Sequence, residues 1–173
     1  MFETHRLVLR AFRPSDADIM LEFMNDVEVQ SQTTLDAVVP RTEKWKENPQ
    51  KWAETPGLYV VVELKETGEM MGSLSLNTGV PKNRDATFGI ALGRKFMGKG
   101  YGTEAMKWAV GYGFKELGLH RVQLTVHETN ERAIAAYRKV GFVEEGRLRK
   151  GLWKGGKFID IILMSILVDE WSP

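Results

Sequence analysis

The sequence predicts an α+β fold in three layers, a mixed sheet with helices packed on it, and three observations carry that reading. Short segments that alternate apolar and polar residues are interspersed with longer ones of helical period. The second half runs strand, glycine-rich loop, helix, strand, helix, strand. The 173 residues, 43% of them hydrophobic, suffice for one core and contain no repeat, low-complexity tract or linker, so residues 1–173 read as a single domain.

Leu7, Leu9 and Ala11 alternate with Arg6, Val8 and Arg10 and form a first strand. Pro14-Ser15 opens a helix, with Ser15 as N-cap and Ile19, Met20 and Phe23 as its apolar stripe. Residues 26–39 lack a clear period and read as a loop. From Pro40 to about Glu54 the pattern is helical, with Trp45 and Trp52 on one face and Pro49 expected to kink or split the helix. Leu58 to Leu64 and Met70 to Leu76 are strands joined by the turn Lys65-Glu66-Thr67-Gly68-Glu69. Asn77 to Asp85 reads as a loop. Ala86 to Leu92 is a strand with Ala86, Phe88, Ile90 and Leu92 on one face.

A glycine-rich loop from Gly93 to Gly102 follows, and a helix from Thr103 to Leu117 stops at Gly118. The strand Arg121 to Val126 alternates cleanly. Asn130 caps a helix that runs to Val140, with Ala133, Ile134, Tyr137 and Val140 inward and Gly141 at its end. Two last strands, near Phe142 to Arg149 and Phe158 to Leu167, flank a turn from Gly151 to Gly156.

Composition excludes several functions. Without cysteine there is no disulfide framework, thiolate metal site or cysteine nucleophile, so any acyl transfer proceeds without a cysteine thioester. The three histidines, His5, His120 and His127, lack metal-ligand spacing, and no metal is expected. A net charge of +1 gives no global attraction to nucleic acid or an anionic membrane, so neither is an expected partner. The start lacks the layout of a signal peptide, and the stretch Ile159 to Val168 is too short to span a bilayer. The expectation is a cytoplasmic domain.

A strand that ends in glycines and opens a helix suits phosphate, because bare main-chain N–H groups and the helix dipole converge there. Gly93 to Lys99 fits the spacing of a nucleotide-binding P-loop, but Gly100 stands where a Mg²⁺-binding Ser or Thr is required. Gly98, Gly100 and Gly102 do not match a dinucleotide fingerprint either. A merely tight turn needs one glycine rather than three.

The run Gly98-Lys99-Gly100-Tyr101-Gly102-Thr103-Glu104-Ala105, with Asn130-Glu131-Arg132-Ala133 and Tyr137-Arg138-Lys139-Val140-Gly141-Phe142, resembles the GCN5-related N-acetyltransferases, in the branch of ribosomal-protein and spermidine N-acetyltransferases. Thr4-His5-Arg6-Leu7-Val8-Leu9-Arg10 and Asp169-Glu170-Trp171 look similar too, so the likeness spans nearly the whole chain. The resemblance implies a mostly antiparallel sheet of six to seven strands, about four helices, and splayed strands that form a cleft for acetyl-CoA as co-substrate. It implies that Met97, Gly98, Lys99, Gly100, Tyr101, Gly102 and Thr103 hold the pyrophosphate. Main-chain groups of Ile90, Ala91 and Leu92 would pair with the pantetheine arm, and one N–H there would polarise the thioester carbonyl. Met97 departs from the usual Gln or Arg of the family.

In the same comparison Tyr137 is the general acid for the departing thiolate, against the alternative of a core tyrosine. Asn130 is an N-cap by local chemistry and a pantetheine contact by resemblance. The family's strand Glu is replaced by Thr87, leaving Asp85, His127 and Glu128 as candidate bases. An α-amine, with a pKa of about 8, needs less help than lysine at about 10.4, which tips the acceptor towards an N-terminal amine over a polyamine. Trp45 and Trp52 are either core or a substrate wall, and Asp26, Glu28 and Glu43 could attract a cationic amine. The implied activity is direct transfer of acetyl to a primary amine by a monomer or homodimer; a non-catalytic acyl-CoA-binding regulatory module is the alternative.

Overall fold

A computed structural model of the chain describes residues 2–55 and 57–172. The alternating segments pair into one sheet: β1 (Phe2–Glu3), β2 (Leu7–Arg10), β3 (Gly57–Leu64), β4 (Met70–Thr78), β5 (Asp85–Leu92), β6 (Arg121–His127), β7 (Val143–Lys154) and β8 (Lys157–Leu167). Their spatial order is β1-β2-β3-β4-β5-β6-β8-β7. Neighbours are antiparallel except β5 and β6, which run parallel. Five α-helices accompany them: α1 (Asp16–Met24), α2 (Val27–Thr33), α3 (Glu47–Ala53), α4 (Tyr101–Lys115) and α5 (Glu131–Val140).

Successive residues of β3 show the three layers. Val60 and Val62 enter the main core beside Ala105, Met106, Ala109 and Val110 of α4, whereas Val61 enters a second cluster with Met20 of α1, Met70 and Trp45. Each fully buried aliphatic or Met side chain contributes about 1.5–3 kcal/mol, and Met71, Leu74, Leu76, Leu124, Met164 and Ile166 all fall in that class. Trp45 and Trp52 meet edge to face at 5.7 Å over this second cluster, so the core alternative holds for Trp45; neither lines the groove described below.

Several sequence expectations need correction. The sheet has eight strands because the two-residue β1 is too short to show alternation. There are five α-helices because residues 27–33, expected to be loop, form α2, which buries only Val29 and Gln30 and so lacks an apolar stripe. Asp26 caps it, accepting from the amides of Glu28 (2.8 Å) and Val29 (3.3 Å). Ser15 makes no capping bond. Its neighbour Asp16 instead accepts from the Arg13 amide (2.7 Å) and the Arg10 guanidinium, which also binds Glu63. The expected Pro40–Glu54 helix begins only at Glu43, as a 3₁₀ turn that runs directly into α3 at Glu47, with Pro49 in the first turn of α3, where a missing N–H costs little. The loop at 77–85 is shorter than expected, and the β7–β8 turn is Gly155-Gly156, with Gly151 inside β7.

The sheet is incompletely paired between β5 and β6. β5 pairs with β4 from Ala86 to Leu92, but with β6 only through Asp85↔Arg121, Ala86↔Val122 and Thr87↔Gln123. Beyond Thr87 the two parallel strands part. The Arg84 carbonyl faces β6, accepting from the His120 amide (2.8 Å), and the Gly93 amide faces β4, donating to the Met71 carbonyl (2.9 Å). Main-chain direction alternates along a strand, so Ile90 and Leu92 turn their N–H and C=O groups to the open seam, and Ala91 turns its own to β4.

Candidate active site

The open seam widens into a groove of about 340 Å³. Ile90 and Leu92 of β5 line one side, Asn130 and Tyr137 of the α5 segment the other, and the glycine loop its end. Of the sequence-predicted residues, Met97, Gly98, Gly100, Gly102 and Thr103 also line it. Ala91, Lys99 and Tyr101 do not. Ala91 has its main chain engaged by β4, so of the three strand residues only Ile90 and Leu92 are free to pair with a ligand. Tyr101 packs beneath the Arg6 guanidinium, 4.4 Å from ring centroid to Cζ, and Lys99 offers its carbonyl to Arg6 Nη1 at 3.2 Å.

The loop owes its shape to two left-handed residues, Gly98 (φ +75°) and Gly100 (φ +82°), the latter capping α4. The first helical bond closes from the Glu104 amide to the Gly100 carbonyl (3.1 Å). The amides of residues 100–103 therefore have no partner inside the helix and face an end carrying about half a positive charge. A brace holds this turn from behind. The Glu104 carboxylate accepts from Thr4 Oγ1 (2.6 Å), the Arg6 amide (2.8 Å) and Arg6 Nε (2.7 Å). Burial works against the Glu104 charge, yet Thr4 and Arg6 outweigh it and hold its carboxyl below the ordinary carboxylate value.

Tyr137 packs its ring against Phe142 at 6.0 Å, and its hydroxyl, on the groove wall, has no hydrogen-bond partner among the described residues. Burial pushes the phenol up to about 12. Asn130 does cap α5, its Oδ1 accepting from the Ala133 amide at 3.2 Å while its own amide bonds the His127 carbonyl at 2.9 Å. It also lines the groove.

The candidate bases separate by position. Asp85 starts β5 at the paired end, about 16 Å of strand from Ile90. Glu128 is held by the Asp160 amide at 3.0 Å. His127, 2% exposed, lies where β6 leaves the seam. Its Nδ1 is 2.9 Å from Thr129 Oγ1, and Lys154 Nζ reaches both its Nε2 (2.9 Å) and the Ser31 carbonyl of α2. Burial and the adjacent Lys154 charge hold the His127 imidazole below its usual pKa, and burial also lowers Lys154.

Other wall residues were missed in the sequence. Gln32 and Thr33 come from the helix read as loop, and the Gln32 Oε1 is buried without a partner among the described residues. Arg132 and Lys139 lie on the α5 wall, within the runs that carry the family likeness, although the sequence assigns neither a role of its own. The acids expected to attract a cationic amine are engaged instead: Asp26 (2.6 Å) and Glu28 (3.4 Å) with Arg94, and Glu43 with Lys46 (2.5 Å). Among the described residues no three His, Cys, Asp or Glu side chains converge as a metal cluster, and no helix is long and apolar enough to cross a membrane.

Residues 6–143 match the acetyltransferase (GNAT) domain. The chain is 30% identical to the uncharacterized N-acetyltransferase p20 of Bacillus licheniformis over 98% of this chain and 97% of that one. It is 28% identical to YdaF of Bacillus subtilis (strain 168), provisionally named a ribosomal N-acetyltransferase, over 96% and 93%. The fold superposes with a TM-score of 0.86 on the crystal structure of spermidine N-acetyltransferase from Vibrio cholerae in complex with CoA and spermine, at 26% identity, covering 96% of this chain and 98% of that one. The chain therefore belongs to the GNAT acetyltransferases and is an acetyl-CoA-dependent N-acetyltransferase.

Proposed function

We propose that residues 1–173 work as one cytoplasmic domain that passes acetyl from acetyl-CoA directly to an N-terminal α-amine. The observation that carries this reading is the convergence, on one groove, of free main-chain groups at Ile90 and Leu92, free amides at the start of α4 and the unpartnered Tyr137 hydroxyl. These residues fit the co-substrate. Residues 98–103 hold the pyrophosphate through main-chain N–H groups, Ile90 and Leu92 hold the pantetheine arm as a strand would, and Asn130 borders its path. The thioester supplies the activated acetyl group.

An N–H of β5 stabilises the charge that develops on the acetyl oxygen as the amine nitrogen attacks. The new C–N bond forms, the C–S bond breaks with its electron pair leaving on sulfur under a hydrogen bond from Tyr137, and the nitrogen gives up its extra proton to water. The absence of any cysteine supports direct transfer from a ternary complex over a cysteine acyl-enzyme.

Two observations support an α-amine. No groove residue is a carboxylate base, and an α-amine with a pKa of about 8 is partly neutral already. The acids of α2 that would draw a polycation are neutralised by Arg94. A polyamine acceptor is the second reading, favoured by the likeness to the spermidine enzyme. Thiol release measured with N-terminal peptides, spermidine and free lysine separates the two. Turnover with polyamine or lysine and none with peptides overturns the first.

A further inference from the structure

One nucleophile of this chain takes no part in the transfer to an amine. Lys154, at the end of β7, is partly exposed and directs its Nζ at two neutral groups, the Ser31 carbonyl of α2 and His127 Nε2, the latter 2.9 Å away. It has no carboxylate partner among the described residues, whereas Lys46, Lys51, Lys65 and Lys95 each face one. No anion stabilises its ammonium form, and burial favours the neutral amine. The Lys154 ammonium can only donate, which sets the histidine tautomer: Nε2 accepts from Nζ, and Nδ1–H donates to Thr129 Oγ1 at 2.9 Å. A proton passed to Nε2 finds a further acceptor in the Ser31 carbonyl, 3.2 Å from that nitrogen. An amine, a base within hydrogen-bond reach and a third group that orients the base form the arrangement that activates nucleophiles. The cluster also borders the groove. Ser31 directly precedes Gln32 and Thr33 of its wall, and His127 lies three residues before Asn130. Four residues of β6, about 13 Å of strand, separate His127 from Gln123, where the seam begins.

We propose that Lys154 is a self-acetylation site, its Nζ taking acetyl from acetyl-CoA held in the groove, with His127 as base and Thr129 orienting the base. The neutral Nζ attacks the thioester carbonyl carbon and the C–N bond forms. The nitrogen of the adduct passes its extra proton to His127 Nε2, the C–S bond breaks with its electron pair on sulfur, and the thiolate takes a proton from water. Counted from the lysine ammonium, the products are N-acetyl-lysine, free coenzyme A and one proton. The acetylated Nζ carries no charge and keeps one N–H for two acceptors, which loosens the tie between β7 and α2. The proposal rests on the groove as the acetyl-CoA site and not on which external amine is the acceptor.

The test incubates the purified protein with acetyl-CoA and no added amine, and follows acetyl occupancy at each lysine by peptide mass spectrometry. Lys154 is expected to fill about tenfold faster than the exposed Lys107, with a rate that levels off as acetyl-CoA saturates the groove. His127→Gln keeps a hydrogen-bonding group but loses the basic nitrogen; it slows Lys154 by about tenfold or more and leaves Lys107 unchanged. Thr129→Val, at an exposed position, slows Lys154 by a smaller factor and serves as the second variant should His127→Gln fail to fold. Tyr137→Phe also slows Lys154, because the acetyl group comes from the groove. Lys154 filling no faster than Lys107, or at its wild-type rate in folded His127→Gln, overturns the assignment while thiol release with external amines stands. A rate that rises linearly with acetyl-CoA and is unmoved by Tyr137→Phe marks uncatalysed acylation from solution and overturns it too. Loss of both Lys154 acetylation and thiol release with every amine overturns the coenzyme A reading of the groove, and the assignment with it.

Discussion

Replacing Tyr137 by Phe removes one oxygen from the groove and leaves the ring packed on Phe142. The phenol sits at about 12, and a free thiol at about 8.5, so handing its proton to a fully formed thiolate is uphill by roughly 3.5 units, about 5 kcal/mol. Tyr137 therefore acts by donating a hydrogen bond to the sulfur while the C–S bond stretches, a charge-assisted bond of about 1.5–3 kcal/mol. At 1.36 kcal/mol per decade, Tyr137→Phe lowers kcat by about 10- to 150-fold. The KM for acetyl-CoA changes little, because the hydroxyl serves the departing sulfur rather than the bound thioester. Folding is unharmed or slightly improved, since no protein partner loses a bond. Thiol release against pH is the assay. A phenol raised to about 12 keeps its proton through pH 10, so the wild-type rate rises as the amine loses its proton and then stays level. A kcat within twofold of wild type, or a fall near pH 10 that Tyr137→Phe abolishes, refutes this account.

Three further outcomes are expected. Gly100→Ala forces a side chain into a φ of +82° and costs about 1–2 kcal/mol in urea unfolding, whereas Gly102→Ala, with a Cβ 3.6 Å from Leu92 Cδ1, folds normally and loses coenzyme A affinity by calorimetry. Glu104→Gln breaks the brace to Thr4 and Arg6 and lowers stability by about 1–3 kcal/mol, with coenzyme A affinity reduced in parallel. His127 has a depressed folded pKa, so below pH 6.5 the unfolded chain binds the extra proton and stability falls as pH drops towards the folded value; His127→Gln flattens that limb of the thermal midpoint against pH.

The parts of this protein legible in the sequence are those where one residue type has one structural use. Three glycines between a strand and a helix marked the loop, Asn130 and Gly141 bracketed α5, and alternation marked β5 and β6. Tertiary context decided the rest. α2 buries Val29 and Gln30 only, and its stability comes from the Asp26 cap and from Gln30, whose side chain bonds Val39 in both directions. Ser15 has good capping chemistry, but Asp16 is drawn inward by Arg10 and Glu63 lies beyond, a triad spanning residues far apart in sequence. The open seam was implied by family likeness, not by β5 itself, because the residues of a strand do not record where its neighbour departs. Gln32, Arg132 and Lys139 reached the groove for the same reason: their importance lies in which element faces them.

A sheet edge invites other strands, and proteins usually protect edges with charge, bulges or short strands. From Phe88 onward β5 is such an edge, yet it lies inside the molecule, with Gln32 and Thr33 of α2 on one side and Ala133 and Tyr137 of α5 on the other. That enclosure filters by thickness. A hairpin or a second sheet cannot enter between the two helices, but a single extended chain can. The same walls that keep β5 from aggregating with its neighbours thus restrict its strand pairing to slender partners, and protection against misassembly and selection of the substrate's arm become one property of the wall.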